Sequence, residues 1–183
     1  MIYFTSDLHF GHDRDFIYGP RGFACIAEHD EALISCWNST VTGDDTIYVL
    51  GDIMLKDNEH GIECWNRLKG KKKVIWGNHD SNPRRELISQ CPGTEVLGFA
   101  NVFVYKEHAF YLSHYPSLTA NYDDSRTKRV INICGHTHAK DRFADIDKGY
   151  IYHVEPDCHG NRPVSVEEII SDLHKIEEDK KCT

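Results

Sequence analysis

The sequence has no apolar run approaching the roughly 20 residues that a membrane span requires. Its start, Met1-Ile2-Tyr3-Phe4-Thr5, lacks the positive flank and apolar stretch of a secretory signal. A cytoplasmic protein with no membrane partner is the expectation. No C-x-x-C pair is present either: the seven cysteines, at 25, 36, 64, 91, 134, 158 and 182, form an odd and scattered set. That argues against a disulfide framework and fits a reducing compartment. Basic residues are in deficit, 21 Lys+Arg against 29 Asp+Glu for a net charge of −8. Broad, sequence-independent wrapping of nucleic acid, which needs a basic face, is thereby excluded. A nucleotide or nucleic-acid end held locally is not, because bound cations reverse the field inside a site. Repeats, low-complexity tracts and linker-like stretches are also missing. With 40% hydrophobic and 27% charged residues in 183 positions, one domain spanning residues 1–183 is expected.

What the chain does contain is twelve histidines and a succession of short β-branched or aromatic runs. These are Ile2–Thr5, Thr46–Leu50, Lys73–Trp76, Val102–Tyr105, Ala109–Ser113, Val130–Cys134 and Tyr150–Val154. Their length and two-sided apolar character predict strands buried in a layered α/β protein. Helical spacing of Leu33, Ile34 and Trp37 marks a helix over 28–39, and Ile62, Trp65 and Leu68 mark another before Gly70. Asn82-Pro83 reads as an N-cap and first helical position ahead of Leu87, Ile88 and Cys91. Ser165-Val166-Glu167-Glu168 has the form of a capping box opening a last helix with Ile169, Ile170, Leu173 and Ile176 inward. The polar stretch 119–128 reads as a surface loop. The fold class is α/β with two packed sheets, and because the last strands follow one another without a helix, the sheets are expected to be mixed.

Most of these runs end on a polar residue, often beside glycine: Asp7-Leu8-His9, Gly51-Asp52, Gly77-Asn78-His79-Asp80, His114 and Gly135-His136-Thr137-His138. Strand ends are where side chains converge on a crevice in layered α/β folds. Singly, each has an ordinary explanation: a cap, a turn, or an Asn tolerating left-handed backbone. Together they supply oxygen and imidazole donors in excess of one mononuclear site, since catalytic zinc takes three protein ligands. Such a set suits two ions sharing a carboxylate. Mixed N/O donors favour Mn²⁺, Fe, Zn²⁺ or Ni²⁺ over Ca²⁺.

In order, D-x-H, G-D, G-N-H-D, H and G-H-x-H resemble the signature of the calcineurin-like metallophosphoesterase superfamily. The flanks Ser6–His12, Asp30–Ile34 with Trp37-Asn38-Ser39, Ser113–Pro116 and Arg162–Ser165 resemble its small single-domain bacterial and phage members. The resemblance implies a four-layer α-β-β-α sandwich with two divalent metal ions at one sheet edge, Mn²⁺ being the first choice. It implies that Asp7, His9 and His138 hold one ion, that Asn78, His114 and His136 hold the other, and that Asp52 bridges them. His79 is implied beside the scissile phosphate, with Asp80 holding its imidazole in one tautomer. The chemistry expected is in-line attack by a hydroxide bridging both metals. His79 is then the general acid for the poor leaving group of a phosphodiester. A phosphomonoesterase acting on nucleotides or phosphoproteins shares every ligand and is the alternative; a non-catalytic scaffold is the remote one. Ile53-Met54 after Asp52, where many members are acidic or polar, weighs against a substrate contact there.

Other residues have plainer expectations. His12 is a candidate for a phosphate contact or for supporting a ligand. The run Lys69–Lys73 reads as a solvated edge that blocks aberrant pairing. Arg84 and Arg85 either steer an anion or are structural, with Arg126 and Arg129 weaker candidates of the same kind. His159 and Asn161 are possible lining at the site mouth. The cysteines, Cys134 included, read as small buried hydrophobes.

Overall fold

The computed structural model describes residues 1–119, 130–144 and 151–181. Of the sequence expectations, the loop beyond Thr119, Arg126, Arg129 and the first residue of the last strand lie outside these.

The apolar runs build two five-stranded mixed sheets. In the first, β1 (Ile2–Thr5), β2 (Thr46–Leu50), β3 (Lys71–Ile75) and β4 (Thr94–Gly98) run parallel in that order, and β10 (Val164–Ser165) pairs antiparallel outside β1. The register sets Tyr3 opposite Ile47, and Val49 opposite Val74. In the second sheet, β5 (Ala100–Tyr105), β6 (His108–Ser113), β7 (Val130–Cys134), β9 (Ile151–His153) and β8 (Phe143–Ala144) are neighbours in that order. There β6, β7 and β9 are parallel, while the two outer strands are antiparallel to their neighbours.

Helices α2 (Ile26–Thr40), α3 (Asn58–Asn66) and α4 (Asn82–Ser89) cover the outer face of the first sheet; a short α1 (Asp15–Tyr18) precedes them. Their Leu33, Trp37, Trp65 and Ile88 bury against Ile47, Val49 and Val74. Between the sheets, Phe4, Tyr48, Leu50 and Ile75 meet Phe110, Leu112, Ile131 and Ile133. The last helix, α5 (Val166–Lys181), closes this second core with Val166, Ile169 and Leu173. Two mixed sheets with packed helices are the expected architecture.

Several local expectations need correction. The cysteines are not uniformly buried: Cys64, Cys91 and Cys134 are, but Cys36 and Cys158 are half-buried and Cys25 is exposed. Strand β5 is not covered on both faces, because it lies at a sheet edge and exposes Val102 and Val104. Strand β4 has no two-sided apolar run because it is an edge strand, with Glu95 and Val96 exposed, so its sequence carries little strand signal. The N-cap of α4 is Ser81, with Pro83 inside the first turn, one residue before the expected cap. The lysine run is not an edge: β3 is paired on both sides, and Lys72 is buried. Its Nζ donates to Leu68 O at 2.8 Å and lies over the Trp65 ring, while burial pushes the amine below its usual range. The aliphatic stem packs while the head finds helix-terminal carbonyls.

At α5, Ser165 Oγ accepts from Glu168 N at 3.1 Å. The Glu168 carboxylate turns to Arg162 at 3.0 Å instead of completing the box. Ser165→Ala is therefore expected to cost about 1 kcal/mol, the ordinary value of one cap, read as a lower urea midpoint at unchanged slope.

Candidate metal centre

Each predicted ligand lies within four residues of a strand end, and the loops that carry them are laced together by backbone hydrogen bonds. Asp7 N donates to Gly51 O at 2.9 Å, His9 N to Asp52 O at 3.0 Å, and Gly135 N to His114 O at 3.0 Å. Asp80 reinforces this lacing. Its carboxylate accepts from Gly77 N (2.7 Å), Asp52 N (2.9 Å) and Ile53 N (3.2 Å). Asp80 thus ties two ligand loops together; among the described residues its hydrogen bonds run to these backbone donors and not to the His79 imidazole, which corrects the expectation that it orients that ring.

The two central carboxylates are each anchored through one oxygen. Asp7 Oδ2 accepts from His136 N at 2.9 Å, and Asp52 Oδ1 accepts from His79 N at 2.8 Å. The other oxygens face the imidazoles. Asp7 Oδ1 lies 3.8 Å from His9 Nε2 and 3.9 Å from His138 Nε2. Asp52 Oδ2 lies 3.5 Å from His114 Nε2 and 3.9 Å from both His9 Nε2 and His79 Nε2. Asn78 Oδ1 and His136 Nδ1 reach the same point from the far side, 2.8 and 3.2 Å from His114 Nε2. All seven predicted ligands are thus brought together. Two of the groupings, Asp7 with His9 and His138, and Asp7 with Asp52 and His114, converge closely enough to share an ion.

Three observations test whether a cation fits. First, Asp7 Oδ1 and His9 Nε2 are buried with no hydrogen-bond partner, a costly state unless another group satisfies them. The carboxylate–imidazole gaps exceed a hydrogen bond and leave room for an ion with bonds of about 2.1 Å. Second, a ring proton is placed by a fixed acceptor. His114 Nδ1 is 2.8 Å from Leu50 O, so its Nε2 keeps its lone pair for a ligand, while His138 Nδ1 is held between Asp157 Oδ2 (3.3 Å) and Arg21 Nη2 (3.2 Å). Third, the charges suit a cation. Burial, with the neighbouring Glu155 and Asp52, raises the Asp7 carboxyl to about 6 against the opposing pull of His114 and His138. Burial, with His138 and Arg21 nearby, pushes His9 well below its usual range. A divalent ion reverses the first and exploits the second, since it binds ionised carboxylate and neutral imidazole.

The glycines flanking these ligands have a steric reason. A Cβ on Gly77 would overlap Asp52 Oδ1, and one on Gly135 would overlap Asp7 Oδ2 and Ser6 Oγ. Five ligands stand in left-handed backbone: Asp7 (φ 50°), His9 (52°), Asp52 (54°), His136 (77°) and His138 (50°). Strain of this kind concentrates at functional sites.

Sequence reasoning missed the support behind the ligands. Arg21 has a fully buried side chain. Its Nη2 donates to Asp7 O (2.8 Å) and Asp157 Oδ2 (2.8 Å), and its Nη1 donates to His29 Nε2 (2.9 Å). His29 Nδ1 in turn donates to Asp30 Oδ1 at 2.7 Å. Nothing in the Gly19-Pro20-Arg21-Gly22 turn announces a partner 136 residues away. Other expectations resolve differently. His12 Nδ1 lies 3.4 Å from His9 Nδ1, and its ring centroid is 6.3 Å from that of His79, so it belongs to the site. Arg84 is committed to His79 O (2.7 Å) and Asn58 Oδ1 (2.9 Å), and Arg85 lies over Trp76 and Phe99, so both are structural. His159 is buried on Tyr152 with Nε2 2.9 Å from His153 O, away from the site mouth, and Asn161 reaches only Arg21 O. Ile53 and Met54 are wholly buried and offer no substrate contact. Above the centre, a cavity of about 560 Å³ is lined by His9, His12, Arg14, Lys56, His79 and His138, among others.

The chain is 30% identical to the Gene 66 protein of Mycobacterium phage L5, across 97% of this chain and 96% of that one. It is also 30% identical to the uncharacterized protein MJ1445 of Methanocaldococcus jannaschii, across 95% and 92%. Among solved structures, the protein of unknown function AQ665 from Aquifex aeolicus matches with a TM-score of 0.70 at 23% identity, covering 93% of this chain and 98% of that one. Yfce, a phosphoesterase from E. coli, matches with a TM-score of 0.50 at 16% identity over 90% and 81%. At those identities the fold is what is shared. Among the described residues no helix is long and apolar enough to cross a membrane. The signature of the calcineurin-like phosphoesterase superfamily domain matches residues 1–157, and the chain belongs to that superfamily.

Proposed function

We propose that this chain is a single-domain, dinuclear metal-dependent phosphodiesterase. The observation that carries the reading is the pair of buried atoms without partners, Asp7 Oδ1 and His9 Nε2, at the meeting point of five strand ends. In it, Asp7, His9 and His138 hold one ion, Asn78, His114 and His136 the other, and Asp52 lies between them. The N/O donor set suits Mn²⁺ first, with Fe, Zn²⁺ and Ni²⁺ as the other choices. Two such ions, when bound, supply charge neutralisation at the phosphoryl oxygens and a nucleophilic water at neutral pH.

The chain's own residues do the rest. Arg14 and Lys56 on the cavity wall provide local positive charge on an otherwise acidic protein, drawing in an anionic ester. The half-buried His79 ring lies at the cavity, its backbone fixed by Asp52 Oδ1 and its carbonyl by Arg84. Burial pushes this imidazole below its usual range, opposed by the nearby Asp80 carboxylate; its protonated form is the one that donates to the departing alkoxide. The free thiols fit a reducing, cytoplasmic setting.

The test is hydrolysis of bis-p-nitrophenyl phosphate beside p-nitrophenyl phosphate, with protein stripped of metal and reloaded with Mn²⁺, and Asp52→Asn as the blank. Diester turnover that requires the metal and vanishes in the blank is expected. Turnover of the monoester alone would transfer the assignment to a phosphomonoesterase. No turnover with both ions bound would leave a scaffold.

A further inference from the structure

Where α2 meets α3, next to this centre, a second group of ligand-type side chains meets. His60 and Cys64 stand four residues apart on one face of α3, and Asp30 reaches them from α2. His60 Nε2 lies 2.9 Å from Asp30 Oδ2 and 3.3 Å from Cys64 Sγ. All three ligand atoms fall within 4.8 Å of one another. Asp30 and Cys64 are each 1% exposed, whereas the His60 ring is partly open to solvent at 36%. His60 also lines a cavity of about 770 Å³, with Gly11, Lys56, Asp57 and Asn58 around it. We propose that Asp30, His60 and Cys64 form a separate mononuclear metal site for a borderline-soft divalent ion such as Zn²⁺, with a water completing it toward this cavity.

Two arguments support the site, and a third consideration sets its pH dependence. The first is donor chemistry: one carboxylate, one imidazole and one thiol make an O/N/S set. Thiolate selects zinc-like ions over the hard cations that an N/O centre accepts. Three protein ligands with one open position are also a usual zinc arrangement. The second is charge. The Asp30 carboxylate is buried, accepting from Gly11 N (2.9 Å) and His29 Nδ1 (2.7 Å) as well as facing His60. A divalent ion with one carboxylate, one thiolate and one neutral imidazole is electrically neutral overall, which suits burial far better than a lone anion does. The third is the cost of the thiolate. Burial, with Asp30 beside it, pushes the Cys64 thiol up to about 12, so the thiol is protonated before the ion arrives. On binding, the Sγ–H bond breaks, an Sγ–metal bond forms and the proton leaves to solvent. His60 Nε2 exchanges its hydrogen bond to Asp30 for a bond to the ion, with the ring proton on Nδ1. Affinity therefore rises with pH.

The site clasps α2 to α3. Through Asp30, His29 and Arg21 it also stands behind the Asp7 loop.

Cobalt titration of the intact chain provides the test, because thiolate bound to Co²⁺ gives a near-ultraviolet charge-transfer band that nitrogen and oxygen ligands do not. The expected result is a band that saturates at one ion per chain and persists in Asp52→Asn. It is displaced by Zn²⁺ and absent from Cys64→Ser, whose cobalt content by elemental analysis is lower by one ion per chain. His60→Ala, at a partly exposed position, is the second variant should Cys64→Ser fold poorly. It is expected to weaken the band-forming step about tenfold or more. Cobalt binding to wild type without a thiolate band, or a band that survives in Cys64→Ser, overturns the proposal. Neither result bears on hydrolysis at the dinuclear centre, so the two readings stand or fall separately.

Discussion

Replacing His79 by alanine is expected to lower turnover of an unactivated alkyl phosphodiester by about 10²–10⁴-fold, the usual contribution of a positioned general acid. The metal content should remain that of the wild type. The His79 ring is 42% exposed at the cavity, and its Nε2 is 3.9 Å from Asp52 Oδ2. What ties this residue to the centre is its backbone: N–H to Asp52 Oδ1 and carbonyl to Arg84. Truncating the side chain leaves those bonds in place. An alkoxide must be protonated as it leaves, whereas p-nitrophenolate leaves readily unprotonated. The variant should therefore lose far less on bis-p-nitrophenyl phosphate than on the alkyl diester. Equal losses on both substrates, or loss of metal by elemental analysis, would remove His79 from the role.

The largest effect on stability is expected at Arg21. Arg21→Ala should cost about 3–5 kcal/mol, because it takes from the buried Asp157 carboxylate its two shortest hydrogen bonds and its buried counter-charge. Arg21 and Asp157 side chains are 0% and 3% exposed and share contacts at 2.8 and 3.1 Å, so solvent screening gives little relief. Arg21→Lys should rescue little of this, since one ammonium cannot address Asp157, His29 and the Asp7 carbonyl from a planar fork. Burial alone would raise the Asp157 carboxyl. The hydrogen bond from His138 and the Arg21 charge outweigh it and hold the group well below the usual carboxylate range. A carboxyl whose folded pKa is depressed contributes stability above its unfolded value of about 3.9 and loses it as pH falls. Wild-type urea midpoints should thus drop steeply below about pH 4, with a shallower acid slope in Asp157→Asn. An unchanged midpoint in Arg21→Ala would show that the network is energetically idle.

The candidate ligands were legible in the sequence because each is a polar residue within four positions of the end of an apolar strand, several beside a glycine. The steric need for those glycines, at Gly77 and Gly135, is local and leaves a local mark. Their support was not legible for the opposite reason. Arg21 and Asp157 sit in short turns with no periodicity, and their pairing exists only after the chain has closed. Asp80 shows the limit of local reasoning from the other side. Its neighbour in sequence is His79, but its partners are three backbone amides in two loops. The strands buried on both faces were found from their composition. β4 was not, since an edge strand half open to solvent has no such run, and Lys72 disguised a central strand as a solvated one.

The left-handed backbone at Asp7, His9, Asp52, His136 and His138 has a consequence for the protein's fate in a cell. Sparsely populated conformations cost of order 1–3 kcal/mol each, against a typical net stability of about 5–15 kcal/mol. An ion that binds only the folded chain offsets that cost by mass action. Deprived of it, more of the chain opens and passes to chaperones and proteases, where 1–2 kcal/mol changes abundance several-fold. The steady-state amount of this protein would then track the supply of the metal it uses, with no dedicated sensor required.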